Sequence, residues 1–383
     1  MRRIGTALVS SLLVLGAAPA VATATPATPA AQATPAATTA PATHHAPATD
    51  TGQRRHGSWR VTVLDADQNF RGLAAVSRTE VWVTGESLTD GAARIFHTTD
   101  GGRSWVDRTP PGTTGLSFRD VEVAGGAVNV LTIGPGEASR IYRSTDDGRT
   151  WTESFRNTDA NAFYDCMAFY PGGRHGLAVS DPVDGKFRIL STSNGGRSWS
   201  VLPSVGMPDT TGEGAFAASG DCLVTAGRSA FIITGGAQSR VLRSDDRGRT
   251  WTTAASAIPA GDAAGGFALA FADPRHGIVV GGDFADPTDN TDAAAYTRDG
   301  GRTWTGGIDL THVGEDVAFV GGGHRVAIAT GTYRGSSGTS LTRDGGRTWQ
   351  RLSDQGFHAV KCVPGGTCWG AGATGQVGVL RIR

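Results

Sequence analysis

Neither sign of charge is in excess: 35 Lys and Arg residues stand against 35 Asp and Glu residues in a chain of 383. The balance leaves no basic field to attract nucleic acid and no acidic surplus typical of a solvated tail, so nucleic acid is excluded as an expected partner. Long apolar runs are also missing. The run from Ile4 to Leu15 is too short to anchor the chain in a bilayer, and no later stretch approaches the ~18 residues a transmembrane helix needs. No GxGxxG both follows a strand and opens a helix, and no CxxCH is present, which removes the nucleotide and haem signatures. Cysteine is scarce, with four residues and no CxxC or Cys/His cluster at metal-site spacing. Neither a metal nor a cofactor is expected.

Glycine is abundant, at 56 residues, but aromatic and β-branched residues recur through the glycine-rich part, which argues for many short strands and turns and against disorder. The N-terminus differs. Arg2 and Arg3 precede the apolar run, and small residues follow it as Ala18-Pro19-Ala20 or Ala22-Thr23-Ala24. Residues 1–24 therefore read as a secretory signal peptide, with no cysteine nearby for a lipid anchor. Residues 25–56, mostly Ala, Pro and Thr, read as a disordered linker, and 57–383 as the folded domain. A secreted protein is expected, extracellular or associated with the cell wall. Cys362 and Cys368 flank Pro364-Gly365-Gly366, so a disulfide across one hairpin is expected. For Cys166 and Cys222 a second disulfide and two buried thiols stay equally open.

One pattern recurs six times: Thr98 to Trp105, Ser144 to Trp151, Thr192 to Trp199, Ser244 to Trp251, Thr297 to Trp304 and Thr342 to Trp349, with the common form [ST]-x-[DN]-x-G-x-[ST]-W. Asp100, Asp146, Asn194, Asp246, Asp299 and Asp344 can each bond backbone N–H groups in a tight turn, which gives them a structural role. The final Trp residues lie 45 to 53 positions apart, a period that suits a four-stranded propeller blade. Trp59 extends the series upstream. Phe357–Val363, Thr367–Ala371 and Gln376–Ile382 supply three final strands, and Ser58 to Leu64 reads as their missing fourth. The expected fold is all-β: a seven-bladed β-propeller of four-stranded antiparallel blades, closed by the N-terminal strand joining the last blade.

The repeated segments resemble the Asp-box, or bacterial neuraminidase repeat. The full pattern, from Trp59 to Arg383, is similar to propellers of the photosystem II stability and assembly factor-like family. Phe118-Arg119-Asp120, the stretch Gly134 to Tyr142 and Asp181-Pro182-Val183-Asp184-Gly185 resemble a secreted bacterial branch of that family, often labelled oxidoreductase. The resemblance implies a fold and not a chemistry.

In such a blade the Asp turns gather on one face, and the loops between second and third strands and between blades gather on the other, where a site is expected. Aligning the inner strands places Arg71, Arg119 with Asp120, Tyr164 with Asp165, Glu213, Glu315 and His358 around the mouth of the central channel. The ends of the second strands add Glu86, Glu137, Asp181, Arg228 and Asp283. This set suits a polar or carboxylated ligand, and it equally suits polar strand ends that bond only loop backbone and water. His175 and His276, each in an Arg-His-Gly sequence, read as turn residues.

Three functions compete. A noncatalytic monomeric propeller binding a partner protein or cell-wall glycan on its loop face needs no special chemistry. A sialidase-like glycosidase would use the arginines with Tyr, Glu and Asp, but the Arg-Ile-Pro motif that precedes the first box in sialidases is absent. An oxidoreductase is suggested by family labels and lacks any cofactor motif.

Overall fold

The computed structural model describes residues 57–89 and 91–382. The expected signal peptide and linker lie outside the described residues.

The fold is assembled from its Asp turns. In the first, Asp100 Oδ1 accepts the Thr98 hydroxyl at 2.9 Å and the Ser104 N–H at 2.9 Å, while Oδ2 accepts the Ser104 hydroxyl at 2.6 Å. The Thr98 oxygen in turn accepts the Gly102 N–H at 3.1 Å. The other five turns repeat this network, and in the third Asn194 donates its amide to Ser198 where the aspartates accept. The position before the last Ser or Thr is Arg in all six, and each of these guanidiniums reaches back to the carbonyl of its own turn's Asp or Asn. The box glycine has a second reason beyond its left-handed backbone. A Cβ on Gly102 would stand 3.1 Å from the Trp369 ring, and one on Gly148 would stand 3.0 Å from Trp82, so the turns seat directly on a neighbouring blade.

Among the described residues seven sheets result. Six contain four antiparallel strands, and the sheet of blade 5 adds two short ones. The inner strands of blades 1 to 7 are Gln68–Ala75, Ser117–Ala124, Tyr164–Phe169, Leu223–Ala226, Gly261–Phe271, Asp316–Phe319 and Ala359–Val363. Each touches the next, and the last touches the first, so the ring is closed. Closure runs through Arg60–Val63, which pairs antiparallel with Gln376–Arg381 as the outer strand of blade 7. Trp59 locks that strand inward: its ring lies 4.6 Å from Phe357 and its indole N–H donates to the Thr339 hydroxyl of blade 6 at 3.0 Å. Phe70, Phe118 and Phe357, near the starts of their inner strands, are wholly buried between sheets and do not line the channel mouth.

Blade 4 differs from the sequence expectation. Its inner strand is Leu223–Ala226, not the segment beginning Glu213-Gly214-Ala215. Glu213–Gly214 instead pairs with Gly235–Gly236 and, through it, extends blade 5. The strand places shift accordingly, and Arg228 falls in the first turn of blade 4, on the Asp-turn face and not at the loop face. The physical reason is an inserted segment before residue 222 that carries no repeat signal. Both disulfides are present, Cys362–Cys368 within one hairpin and Cys166–Cys222 between blades 3 and 4.

If Trp59 locks the closing strand, Trp59→Ala lowers unfolding free energy by about 2 to 3 kcal/mol, the low end for a large aromatic truncation because the ring is only half-buried. Thr339→Val, which removes both the acceptor for Trp59 and the donor to the Gln355 carbonyl, costs about 2 kcal/mol. Denaturant unfolding measures both, and an unchanged midpoint for Trp59→Ala would place closure elsewhere.

Candidate functional site

Four inner strands carry a β-bulge at the same place, and the extra residues are Arg71, Arg119, Asp165 and Phe267. A bulge re-aims one side chain out of the alternation that would bury it between sheets. Asp221, Glu315 and His358 precede the corresponding strands of blades 4, 6 and 7. Arg71, Arg119, Asp165, Glu315 and His358 gather at the loop-face mouth of the channel, whereas Phe267 packs among aromatic rings and Asp221 lies deeper, against Lys361. His358 Nδ1 lies 3.0 Å from both Glu315 carboxylate oxygens, and Arg71 stands 3.5 Å from Glu315 and 3.9 Å from Glu86.

The mouth is not open. The segment Ala215–Gly220 crosses it, and both arginines bind that segment's backbone: Arg71 donates to the Ala218 carbonyl at 2.8 Å and Arg119 to the Ala217 carbonyl. Asp181 holds the other end by accepting the Ala215 N–H at 2.9 Å. At its far end, Ser219 lies against Cys166, which is bonded to Cys222. Below this plug, Lys361 reaches from blade 7 to pair with Asp221 of blade 4, beside Glu122 and Asp316.

The group is strongly perturbed by burial. Desolvation lowers the Arg119 guanidinium to about 10, with Arg71 adding repulsion. Burial raises Asp165 and then Asp181 adds to the effect, while Asp181 itself is raised to about 6 by burial against the single Ala215 N–H bond. Asp165 Oδ2 has no hydrogen-bond partner among the described residues. Burial would also raise Glu315, but His358, the Arg71 guanidinium and the Thr332 N–H together outweigh it and hold the carboxylate below its ordinary range. Under the plug, burial lifts Glu122 to about 7.

The structure therefore brings together Arg71, Arg119, Asp165, Asp181, Glu315, His358 and Glu86. The remaining candidates lie apart. Tyr164 is fully buried, edge-on to Phe155, and Asp120 is buried accepting the Met167 N–H at 2.7 Å, a bond between adjacent inner strands that Asp316 repeats with Val360. Glu213 is buried against Arg240 and Thr234, Glu137 pairs with Arg156 at the surface, and Asp283 caps the Ala285 N–H. Beside the plug, sequence reasoning missed an aromatic group: Phe216 of the plug, Phe267, Phe284 stacked on it at 4.2 Å, and Tyr333 edge-on to Phe284 at 5.1 Å, with the exposed Arg334 guanidinium 5.1 Å over Tyr333. Phe216, Phe284 and Tyr333 remain partly exposed on the loop face. Only their aromatic character, at strand ends and in loops, could have signalled them.

No protein-family profile matches the chain, and no curated protein matches it. Its fold does have solved counterparts. A structure of YCF48 bound to D1 peptide aligns with a TM-score of 0.59 at 14% identity, covering 87% of this chain and all of that one. A chain of a mitotic checkpoint complex aligns with a TM-score of 0.57 at 12% identity, covering 88% of this chain and 96% of that one. At such identities the likeness is one of fold.

Asp181 offers a pH test. Its folded value of about 6 exceeds the ordinary 3.8, so the folded protein holds this proton more tightly and stability falls as pH rises from about 4 to 6. Asp181→Asn keeps the acceptor for Ala215 and removes the titration, so its melting temperature exceeds that of the parent at pH 7 and meets it below pH 4. A parallel pH profile for the two proteins would refute the assignment. Arg119→Met leaves the Ala217 carbonyl without its charged donor and lowers stability by about 2 kcal/mol, measured by denaturant unfolding.

Proposed function

We propose that the chain is a secreted, noncatalytic propeller that binds a segment of a partner protein on its loop face. The observation that carries this reading is the partly exposed group of Phe216, Phe284 and Tyr333, with Arg334 over it, beside a mouth filled by the protein's own backbone. Aromatic and arginine side chains supply large contact area at low entropic cost and dominate protein interfaces. Two disulfides accord with export to an oxidising compartment. A structural counterpart that carries a bound peptide supports the same choice of partner.

A cell-wall glycan is the alternative occupant, since aromatic rings also stack on sugars. The glycosidase reading is less well supported: it needs the arginine pair free for a substrate carboxylate, and both guanidiniums are spent on the Ala217 and Ala218 carbonyls.

Photo-crosslinking residues at Tyr333 and Asp286 on the loop face, and at Arg302 and Arg347 on the Asp-turn face, separate the faces directly. Crosslinks to envelope or medium proteins should form from the first pair only, and Tyr333→Ala should weaken binding of the captured partner by about 2 kcal/mol. Crosslinks confined to the Asp-turn face would overturn the reading, and glycan binding lost in Tyr333→Ala, with no protein captured, would replace the partner class.

A further inference from the structure

The Asp-turn face holds a group that neither the repeat nor the proposed binding surface uses. The first turn of blade 5 contains Asp273 and His276, and the first turn of blade 6 brings His324 beside them. Nitrogen and oxygen atoms from all three lie within 4.8 Å of one another. His276 Nδ1 is 2.8 Å from Asp273 Oδ2, His324 Nδ1 is 4.0 Å from the same oxygen, and the two imidazoles stack at 4.1 Å.

We propose that Asp273, His276 and His324 form a binding site for a divalent transition metal of the zinc class, bridging blades 5 and 6. With metal–ligand bonds of about 2.0 to 2.2 Å, tetrahedral ligand atoms stand roughly 3.4 Å apart. The hydrogen-bonded Asp273–His276 pair, at 2.8 Å, opens by roughly half an ångström to admit the ion, and the His324 contact, at 4.0 Å, closes by a similar amount. His324 can make that shift and turn its ring out of the stack, because its side chain is half exposed and forms no hydrogen bond among the described residues. Asp273 is held in place independently: its Oδ1 accepts the Arg275 N–H at 2.8 Å and the His276 N–H at 3.1 Å, which leaves Oδ2 aimed at the imidazoles. Backbone bonds of this kind orient a ligating carboxylate.

The donor set selects the metal. Two imidazoles and one carboxylate suit zinc, nickel, cobalt or copper, whereas calcium and magnesium favour oxygen cages. Arg275 and Arg325, next in sequence to the two histidines, further disfavour an ion held by charge alone. Water completes the coordination on the exposed side.

The test uses the full chain with His44, His45 and His56 replaced by Gln, so that imidazoles outside the described residues do not contribute. After stripping with EDTA, calorimetric titration with zinc chloride should show one ion per chain, cobalt should give the visible absorption of a low-coordinate site, and zinc should raise the melting temperature. Magnesium and calcium should do none of these. His324→Gln, which removes an exposed ring from a folded protein, should weaken zinc binding by roughly tenfold or more and abolish the thermal shift. Asp273→Asn, which keeps the backbone bonds at Oδ1, should do the same. The absence of saturable binding, or unchanged affinity in His324→Gln, would overturn the proposal. The site lies on the face opposite the proposed partner surface, so either can fail alone.

Discussion

A ring of separate sheets holds together only if no blade can peel from its neighbour, and the place where that is decided is the junction of the chain's two ends. Four residues, Arg60–Val63, supply the outer strand of the last blade, so blade 7 cannot form from contiguous chain. Trp59 ties the strand to Phe357 of its own blade and Thr339 of the blade before it. Everything nearer the axis inherits this constraint. Seven inner strands kept in mutual contact bring bulged or strand-leading residues of five blades, Arg71, Arg119, Asp165, Glu315 and His358, to a common mouth, and that convergence turns surface-type residues into a buried ionic group.

The group's chemistry then follows from what fills the mouth. Two guanidiniums side by side, with burial lowering one of them, need acceptors, and carboxylates alone would leave the mouth open to water and competing anions. The plug supplies backbone carbonyls instead. Its ends are pinned by Asp181 and by the disulfide that begins blade 4, so a flexible stretch rich in alanine is held across the channel by neighbours and not by its own propensity. A closed mouth moves recognition outward, to aromatic side chains that the plug itself helps to support.

Most of the fold was legible in the sequence because its information is local. The Asp turns repeat a hydrogen-bond network within eight residues, and their spacing gives six blades, with the seventh signalled by Trp59 and the three C-terminal strands; even the arginine shared by all six turns is visible in the sequence, although its bond to the turn carbonyl is not. The mouth was half legible. Arg71, Arg119, Asp165, Glu315 and His358 can be aligned because aromatic or glycine residues precede them in comparable strands. Blade 4 breaks the alignment: the inserted segment contains Glu213-Gly214, which imitates a strand start, while the true strand begins only after Cys222. Tyr164 and Asp120 illustrate a different limit, since adjacent strand positions point to opposite sides and a single bulge decides which of them reaches the channel. The pairing of His276 with His324 is a contact between turns of different blades, and no sequence spacing announces it.

The closing strand also fixes an orientation. Arg60–Val63 runs from the Asp-turn face toward the loop face, and Gly57 and Ser58 stand beside the first Asp turn, with Asp100, Gly101 and Arg103 around the same hollow. Gly57 and Ser58, where the described residues begin, therefore sit on the underside of the propeller, among the Asp turns. Phe284 and Tyr333 lie on the opposite face, so the two broad faces are chemically unlike, polar hairpin tips beside the start of the closing strand on one and aromatic rings on the other.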